Sequence, residues 1–359
     1  MSIQPSGAQP IQPAPRDRHP RRVRRAAAIA ATALGLAAAG GGAITVGADQ
    51  AEAVTNAAPT ASAPAVVRLD FFRVSDGASV GTCSGLTLTR HWVLTSAHCL
   101  RGRSVSTSRV QVSRTIAPSV NEVVYPTGPA RFHNHPDYDE RLGTIDRGND
   151  VGLVQLQGDG QRAFTAGRIY DGPTRGDGWK DSRATVAVHG YGRPGVPGSS
   201  TCAATGSGTK RFGWITLTGD TVDAGTFGTG EPLAVEGHET TQRICEGDSG
   251  GTWSIDGPAG PLAFALTSGP GARFHDLTSP WATLIRPKLA WAQQQGTAKG
   301  QPFTCTTRTQ YALQYLTCAE PTPPRPPVAD PGPGTLDPGT TPRAPGAALP
   351  GGTGRVAQG

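Results

Sequence analysis

Gly247-Asp248-Ser249-Gly250-Gly251 is the strongest structural and chemical signal in this sequence. Glycines on both sides of the serine let the backbone turn sharply and approach a substrate closely. A serine hydroxyl is a weak nucleophile that needs a histidine base, and the base needs a carboxylate to orient it. Two upstream segments, Thr95-Ser96-Ala97-His98-Cys99 and Asn149-Asp150-Val151-Gly152-Leu153, supply both groups. Each segment alone would be a surface turn or a core residue, but the three together indicate nucleophilic catalysis.

Composition bounds the class of protein. The 359 residues include 49 Gly and 32 Pro, and only 36% are hydrophobic, so a middle region must carry the core between two poorer ends. Of the net charge of +6, the first 53 residues carry +3 (six Arg against Asp17, Asp49 and Glu52), and the remaining +3 is modest. No basic stripe with interleaved aromatic residues is present, which argues against a nucleic-acid partner. Arginine greatly outnumbers lysine, a bias that suits a high-GC bacterial genome.

The first 53 residues have the pattern of a secretory signal peptide. Arg21-Arg22-Val23-Arg24-Arg25 ends a polar front, an uncharged run follows from Ala26 to Ala48, and Ala51-Glu52-Ala53 offers small residues for cleavage. A membrane anchor ranks second because Ala and Gly contribute little to insertion, so we expect no stable anchor. The paired arginines permit twin-arginine export, although a merely basic front explains them equally well. We therefore expect a secreted, extracellular protein.

The middle of the chain has the pattern of an all-β barrel or sandwich, because short β-rich runs alternate with Gly, Pro, Asn and Asp. The predicted strands are Val66–Phe72, Leu86–Leu88, Trp92–Leu94, Val110–Val112, Glu122–Tyr125, Val151–Leu156, Thr185–His189, Ile215–Leu217 and Leu262–Thr267. Helical periodicity occurs only late, over Thr283–Gln295, where Leu284, Leu289 and Trp291 share a face.

The core pattern ends at Gly296. Cys305 and Cys318 bracket a short segment within residues 297–320, which we expect to be a disulfide-closed extension. Residues 321–359 are dominated by Pro and Gly with almost no large apolar residue, so a disordered tail is expected. The predicted organisation is therefore a signal peptide (1–53), a main domain (54–296), the extension and the tail.

The three catalytic segments resemble the signature segments of the trypsin/chymotrypsin-like serine proteases, in that family's order of His, Asp and Ser. His135-Pro136-Asp137-Tyr138 is similar to the family's segment before the aspartate strand, and Gly190-Tyr191-Gly192 to its Gly-Trp-Gly turn. The resemblance covers residues 54–296. It implies an all-β fold of two antiparallel six-stranded β-barrels with a C-terminal helix.

The resemblance also implies roles for individual residues. Ser249 would attack the scissile carbonyl, His98 would take its proton and later give it to the leaving amine, and Asp150 would hold the imidazole. The backbone N–H groups of Gly247 and Ser249 would form the oxyanion hole. The expected activity is that of a secreted, monomeric serine endopeptidase acting on protein or peptide substrates, with no metal and no cofactor.

Six cysteines behind an export signal favour disulfides over metal ligation. The resemblance matches the family's disulfide beside the catalytic histidine. It also matches a cysteine at the rim of the specificity pocket, whose usual partner is missing and for which Cys202 is the suggested substitute. The resemblance thus implies Cys83–Cys99 and suggests Cys202–Cys245, which would leave Cys305–Cys318, but six cysteines allow fifteen pairings and only the first pair is fixed at this point.

The base of the family's primary specificity pocket lies six residues before the nucleophile, where this chain has Arg243 followed by Ile244. A cation there disfavours Lys or Arg side chains, so we predict an enzyme that is not specific for them. The wall segment Thr267-Ser268-Gly269 lacks the family's tryptophan, and Gly269 leaves the pocket mouth open. Arg243 either pairs with an acidic substrate side chain or points to solvent beside an apolar pocket, and the second is slightly favoured because arginine is usually exposed.

Asp248 is a structural residue in the resembled family, where it pairs with the N-terminal ammonium freed by activation. No Ile-Val-Gly-Gly activation sequence is present here, but cleavage after Ala53 would free Val54. One hypothesis is that signal removal itself creates the N-terminus that pairs with Asp248. The alternative is that Asp248 has another partner.

Two other functions remain as alternatives. A non-proteolytic binding protein on the same scaffold is disfavoured because all three triad residues are present. An esterase is possible chemically, since acyl-enzyme chemistry also cleaves esters. The Gly-x-Ser-x-Gly spacing of α/β-hydrolases occurs at residues 247–251, but those enzymes place the serine first in the chain and here it comes last.

Overall fold

The computed structural model describes residues 60, 62–117, 120–139, 141, 148–172, 184–194, 196, 202–223, 232–238, 244–269 and 280–322. All of them belong to one compact unit, Gln50–Gly359. The expected signal peptide (1–53), residues 323–359 of the expected tail, and Arg243 lie outside the described residues.

Within these ranges the chain forms mainly strands. The strands are β1 (Val66–Arg73), β2 (Ser79–Thr87), β3 (Trp92–Thr95), β4 (Ser108–Ala117), β5 (Val120–Gly128), β6 (Ala130–Asn134), β7 (Gly152–Leu156), β8 (Arg168–Tyr170), β9 (Thr185–Gly190), β10 (Arg211–Asp223), β11 (Pro232–His238), β12 (Thr252–Ile255), β13 (Leu262–Gly269), β14 (Trp281–Leu284), β15 (Thr304–Gln310) and β16 (Leu313–Ala319), and the helix is α1 (Leu289–Ala298).

Strands β1 to β7 form the first barrel. Their order in the sheet is β5-β4-β1-β2-β3-β7-β6, and every pairing is antiparallel. Only Pro129 separates β5 from β6, so the two are halves of one bent strand that pairs with β4 at one end and β7 at the other. Proline cannot donate to the ladder, which suits it to this break. The sheet therefore closes into six strands.

The second barrel is closed by its own pairings. The ring runs β12-β9-β10-β11-β14-β13, and β13 pairs back onto β12. Its interior is filled by large apolar side chains that include Trp253, Phe264 and Leu284, each no more than 2% exposed. The two six-stranded barrels predicted from the sequence are confirmed.

A third apolar cluster joins the barrels. It combines Leu86 and Leu94 of the first barrel with Leu266 of β13 and Leu289 of α1. Burial of one such side chain stabilises the folded state by about 1.5–3 kcal/mol. This packing fixes the loops that emerge between the barrels. Among the described residues, no helix combines the length and hydropathy needed to cross a membrane.

The C-terminal helix is confirmed, but its predicted start at Thr283 is wrong. Thr283 and Leu284 are buried in β14, which pairs with β11 and β13, so sheet packing overrides the helical periodicity there. The helix itself begins at Leu289, after a 3₁₀ turn that contains Pro287. It continues to Ala298, beyond the predicted end at Gln295.

The segment after the helix is a β-hairpin. Strands β15 and β16 pair with each other, and β16 pairs with β8 at the edge of the second barrel. Tyr311 and Ala312 form the hairpin turn with φ of 48° and 64°, as a tight two-residue connection requires. Cys305 and Cys318 face each other in the register and are joined by a disulfide.

Candidate active site

Strand register brings His98 and Asp150 together. Thr95 at the end of β3 pairs with Gly152 at the start of β7. His98 follows Thr95 on a 3₁₀ turn, Ala97–Leu100, and Asp150 lies just before β7. A Cβ atom on Gly152 would lie 2.6 Å from the side chain of Leu100, so glycine makes room for this turn. The two side chains are therefore neighbours although 52 positions separate them.

The carboxylate of Asp150 is fully buried and makes two contacts with His98. Oδ2 lies 2.7 Å from the ring nitrogen Nδ1, and Oδ1 accepts the backbone N–H of His98 at 2.9 Å. A carboxylate only accepts hydrogen bonds, so Nδ1 carries the hydrogen and Nε2 of the neutral ring is an acceptor. The His98 side chain is 18% exposed, which leaves the ring accessible to substrate.

Ser268 supplies a further donor to this carboxylate. Its buried hydroxyl donates to Oδ2 of Asp150. A buried carboxylate is tolerated when its oxygens are hydrogen-bonded, and these three donors fix the position of the Asp150 side chain. The family resemblance assigned Ser268 to the wall of the specificity pocket and did not indicate this contact with Asp150.

The loop that carries Ser249 is pressed against the first barrel. Gly247 and Gly250 have φ of +101° and +78°, which favour glycine. A Cβ atom on Gly250 would lie 2.2 Å from Oγ1 of Thr95. The carbonyl of Ser249 accepts the backbone N–H of Ser84 at 2.8 Å. The glycines thus allow a loop of the second barrel to dock onto the first.

The Cys83–Cys99 disulfide connects the surroundings of Ser249 and His98. Sγ of Cys99 lies 3.9 Å from Nε2 of His98 and 3.8 Å from the carbonyl oxygen of Ser249. One sulfur atom therefore contacts both residues. The backbone of Ser249 therefore lies beside the segment that carries His98 and contacts Asp150.

Two peptide groups of this loop are oriented by their carbonyls. The carbonyl of Glu246 accepts from Arg193 N–H at 2.9 Å, and that of Asp248 accepts from Gly251 N–H at 2.8 Å. In a trans peptide the N–H points opposite to the carbonyl. The N–H groups of Gly247 and Ser249 have no backbone acceptor within the described ranges. Such free, fixed donors suit a negatively charged oxygen.

Ser84 is a site residue that the sequence did not reveal. It is fully buried, its hydroxyl donates to the carbonyl of Gly247 at 2.8 Å, and it accepts the backbone N–H of Tyr191 at 2.9 Å. One side chain of the first barrel thus holds two loops of the second. A serine after a cysteine has no sequence signature for this role.

Asp248 is buried beneath the loop. Its carboxylate accepts the N–H groups of Gly192 at 2.7 Å and Cys245 at 2.9 Å. Cβ atoms on Gly190 and Gly192 would come within 2.4 Å of this carboxylate, which explains both glycines of the Gly-Tyr-Gly motif. The suggested partner Val54 lies outside the described residues.

The other residues assigned to the specificity pocket lie nearby with different orientations. Ile244 is half-buried and packs against the core of the second barrel. Oγ1 of Thr267 accepts the indole N–H of Trp253 at 3.1 Å, so this side chain faces the barrel interior. Gly269 pairs with Trp281 within the sheet.

The structure joins the six cysteines in three disulfides, and these are the pairs that the family resemblance suggested. The pairs are Cys83–Cys99, Cys202–Cys245 and Cys305–Cys318. The second pair is attached at Cys245 to the loop that leads to Ser249, so it restrains the approach to the site.

A second histidine near the site is structural. The ring of His135 packs on Trp291 of α1 with centroids 5.0 Å apart, and its backbone N–H binds the carbonyl of Val151 at 3.0 Å. Burial, with a smaller effect of Lys288, lowers the pKa of His135 to about 4. His135 is therefore neutral at neutral pH and braces the segment that follows Asp150.

Two comparisons relate this chain to known proteins. The trypsin family model matches residues 54–260 of this chain, a range that includes His98, Asp150 and Ser249. Among solved structures, a collagenase titled "HL collagenase structure at 1.7A resolution" is similar, with 17% sequence identity and a TM-score of 0.44. The similarity covers 67% of this chain and 96% of that chain.

Proposed function

Because the chain belongs to the trypsin family of serine endopeptidases, we propose that His98, Asp150 and Ser249 are its catalytic triad. The observation that carries the proposal is the 2.7 Å contact between buried Asp150 and Nδ1 of His98, beside the loop that bears Ser249. Substrates of the family are proteins or peptides.

In the proposed reaction, Oγ of Ser249 attacks the carbonyl carbon of the scissile peptide while its proton passes to Nε2 of His98. The resulting oxyanion accepts hydrogen bonds from the N–H groups of Gly247 and Ser249. Asp150 stabilises the imidazolium, which then protonates the leaving amine as the C–N bond breaks. Water repeats the sequence on the acyl-enzyme: its proton goes to His98, and the acid leaves as Ser249 regains a proton.

The oxyanion hole should supply a large part of the rate enhancement. Loss of one such donor typically removes about 2.7–4 kcal/mol of transition-state stabilisation. Donors that already point at the developing oxyanion need not reorganise during the reaction, so the orientation of these N–H groups matters. The contacts from Arg193 N–H and Gly251 N–H to the preceding carbonyls support this orientation.

For specificity, we propose cleavage that does not depend on Lys or Arg before the scissile bond. The support is Arg243, which replaces the acidic pocket base of Lys/Arg-specific relatives and repels a substrate cation. Peptides that differ only at the residue before the cleaved bond test this proposal. A strong preference for Lys or Arg would contradict it, and a preference for Glu or Asp would indicate that Arg243 binds the substrate side chain.

We also propose that the enzyme is secreted as a monomer after removal of residues 1–53, which leaves the protease domain (54–296), the extension (297–320) and a disordered tail (321–359). Three disulfides among the described residues favour an oxidising compartment. Signal removal would free Val54 to pair with Asp248. N-terminal sequencing of the secreted, active protein tests the cleavage, and a start well beyond residue 58 would contradict this pairing.

Hydrolysis assays separate the proposed endopeptidase from a binding protein and from an esterase. Wild-type protein should digest casein, and Ser249→Ala should not. Asp150→Asn should reduce kcat by about 10⁴-fold because the amide keeps the imidazole in place but favours the wrong tautomer. Turnover of a nitrophenyl ester without casein digestion would favour the esterase, and the absence of both would favour the binding protein.

A further inference from the structure

A basic cleft lies on the first barrel beside the active site. It is formed where the β1–β2 hairpin meets the loop that follows the 3₁₀ turn of His98. We call it the arginine cleft and define it by Arg73, Arg101 and Arg103 together with the hydroxyl groups of Ser75, Ser106 and Thr107. Nothing in the proposed triad chemistry uses these residues.

The arginine cleft is continuous with the site through the backbone. Nε of Arg103 donates to the carbonyl of Cys99 at 2.7 Å, and the N–H of Arg101 donates to the carbonyl of His98 at 3.4 Å. The lining of the cleft therefore begins at Arg101, three residues after His98.

Arg103 is held rigidly as the floor of the cleft. Its Nη2 donates to the carbonyl of Val80 at 3.1 Å, and its guanidinium carbon lies 4.1 Å from the ring centre of Phe71. Burial lowers the pKa of Arg103 from its ordinary value, but a guanidinium stays charged at any physiological pH. Among the described residues this half-buried cation has no ion-pair partner.

The remaining charges leave the cleft positive. Arg73 binds Asp76 at 2.6 Å, with both side chains about half exposed. Arg101 is exposed and makes no ion pair within the described part of the chain. The nearby carboxylate of Asp70 is engaged by Arg68 and by the hydroxyl of Thr82. Two guanidinium groups, bordered by hydroxyls, therefore remain for an anionic ligand.

We propose that the arginine cleft is a substrate subsite that binds Asp or Glu side chains of the polypeptide being cleaved. Guanidinium groups match carboxylates in geometry and charge, and hydroxyls can complete the ligand's hydrogen bonds. A polypeptide is the favoured ligand because the loop that lines the cleft continues directly from the turn that carries His98. The inference rests on the proposed endopeptidase site and names part of its substrate preference.

The test uses a peptide in which the wild-type enzyme cleaves one known bond, identified first in a casein digest. Matched peptides carry Glu or Gln at each of the four positions on either side of that bond. At one or more positions, Glu should raise kcat/KM by up to about fivefold over Gln, the range expected for an exposed ion pair. The gain should shrink at high salt because exposed charges are screened.

Arg101→Gln should reduce this Glu-to-Gln ratio of kcat/KM towards one. Arg101→Glu should lower the ratio below one, and this variant should cleave a matched Lys peptide faster than the Gln peptide. Arg308→Gln, which removes an exposed arginine from β15, is the matched control and should keep the wild-type ratio. Equal kcat/KM for all Glu and Gln peptides, or an unchanged ratio in Arg101→Gln, would overturn the inference. If the endopeptidase proposal itself is wrong, neither the Glu nor the Gln peptides will be cleaved, which distinguishes that outcome from failure of the subsite proposal.

A binding measurement removes the dependence on catalysis. Ser249→Ala protein should bind a fluorescent Glu peptide more tightly than the Gln peptide, and the added substitution Arg101→Gln should abolish the difference. If inorganic phosphate or a sulfated polysaccharide binds at Arg101 while Glu and Gln peptides bind equally, the cleft is a site for free anions and the substrate subsite is refuted.

Discussion

The hydroxyl of Ser84 donates a 2.8 Å hydrogen bond to the carbonyl oxygen of Gly247, across 163 positions of the chain. The same hydroxyl accepts the N–H of Tyr191. Ser84 belongs to the first barrel, whereas both loops that it holds belong to the second. The proposed oxyanion hole is thus fixed by a side chain of the opposite barrel.

Replacement of Ser84 by Ala should weaken catalysis more than substrate binding. The change leaves a buried carbonyl and a buried N–H without partners, which costs about 1–3 kcal/mol. We expect kcat to fall about tenfold to a hundredfold, less than loss of an oxyanion donor, with little change in KM. Steady-state kinetics on one peptide measures both constants.

Ser113→Ala is the control for this variant. Ser113 is equally buried in β4, and its hydroxyl accepts a bond from the nearby Gln111 rather than from a site loop. A similar loss of kcat in both variants would mean that Ser84 acts only through overall stability.

The docking of the Ser249 loop depends on the absence of a side chain at Gly250. An alanine there would combine a left-handed backbone, about 1–2 kcal/mol, with overpacking against Thr95, about 1–3 kcal/mol. Gly77 has a similar φ of +68° but open space around its Cβ position. Denaturant unfolding should show a clearly larger loss of stability for Gly250→Ala than for Gly77→Ala, and equal losses would refute the steric argument.

Glu320 ties the C-terminal hairpin to the first barrel. Its carboxylate accepts Oγ1–H of Thr89 at 2.5 Å and the N–H of His91 at 3.0 Å, and its other oxygen lies 2.8 Å from Nδ1 of His91. Burial opposes ionisation, but these hydrogen bonds outweigh it and hold the pKa of Glu320 below its ordinary 4.5. The extension therefore contacts the second barrel through the pairing of β16 with β8 and the first barrel through Glu320.

A depressed folded-state pKa stabilises the protein above the unfolded pKa, and this contribution is lost as the pH falls through the folded value. Glu320→Gln should therefore lower Tm at pH 6, and the difference from wild type should shrink towards pH 3. Glu246→Gln disrupts an exposed pair with Arg193 and should change Tm little at either pH. A difference at Glu320 that does not depend on pH would contradict the ionic contribution.

The disulfide that contacts both His98 and Ser249 should matter for stability and for activity. Cys83→Ala combined with Cys99→Ala opens a loop whose closure is worth about 3 kcal/mol in the chain-entropy model. The Cys305→Ala, Cys318→Ala pair removes a disulfide of similar span, far from His98 along the chain. At a temperature where both variants are folded, only the first should lose kcat; an equal loss would assign the effect to stability alone.

Local sequence patterns predicted several of the strands and supplied the motifs of the candidate triad. Val66–Phe72 and Leu262–Thr267 are apolar runs of the right length, and both are strands. The flanks of His98, Asp150 and Ser249 are local motifs, so they are visible without knowledge of the fold. The two-barrel fold followed from the family resemblance that these motifs carry.

What the sequence did not reveal depends on tertiary partners. Strand β15 is rich in exposed threonine and lacks alternation, and it forms because β16 and β8 extend the sheet beside it. Thr283 looked helical but is buried between β11 and β13. Ser84 and Ser268 matter through bonds to Gly247 and Asp150, which no spacing rule encodes.

Covalent labelling tests the central claim most directly. The account predicts that a fluorophosphonate probe labels the folded protein once, that peptide mass spectrometry finds the adduct on Ser249, and that Ser249→Ala abolishes labelling. His98→Ala should slow labelling strongly because the base that activates the hydroxyl is gone. No labelling of active, folded protein, or an adduct at another residue, would contradict the proposed catalytic triad.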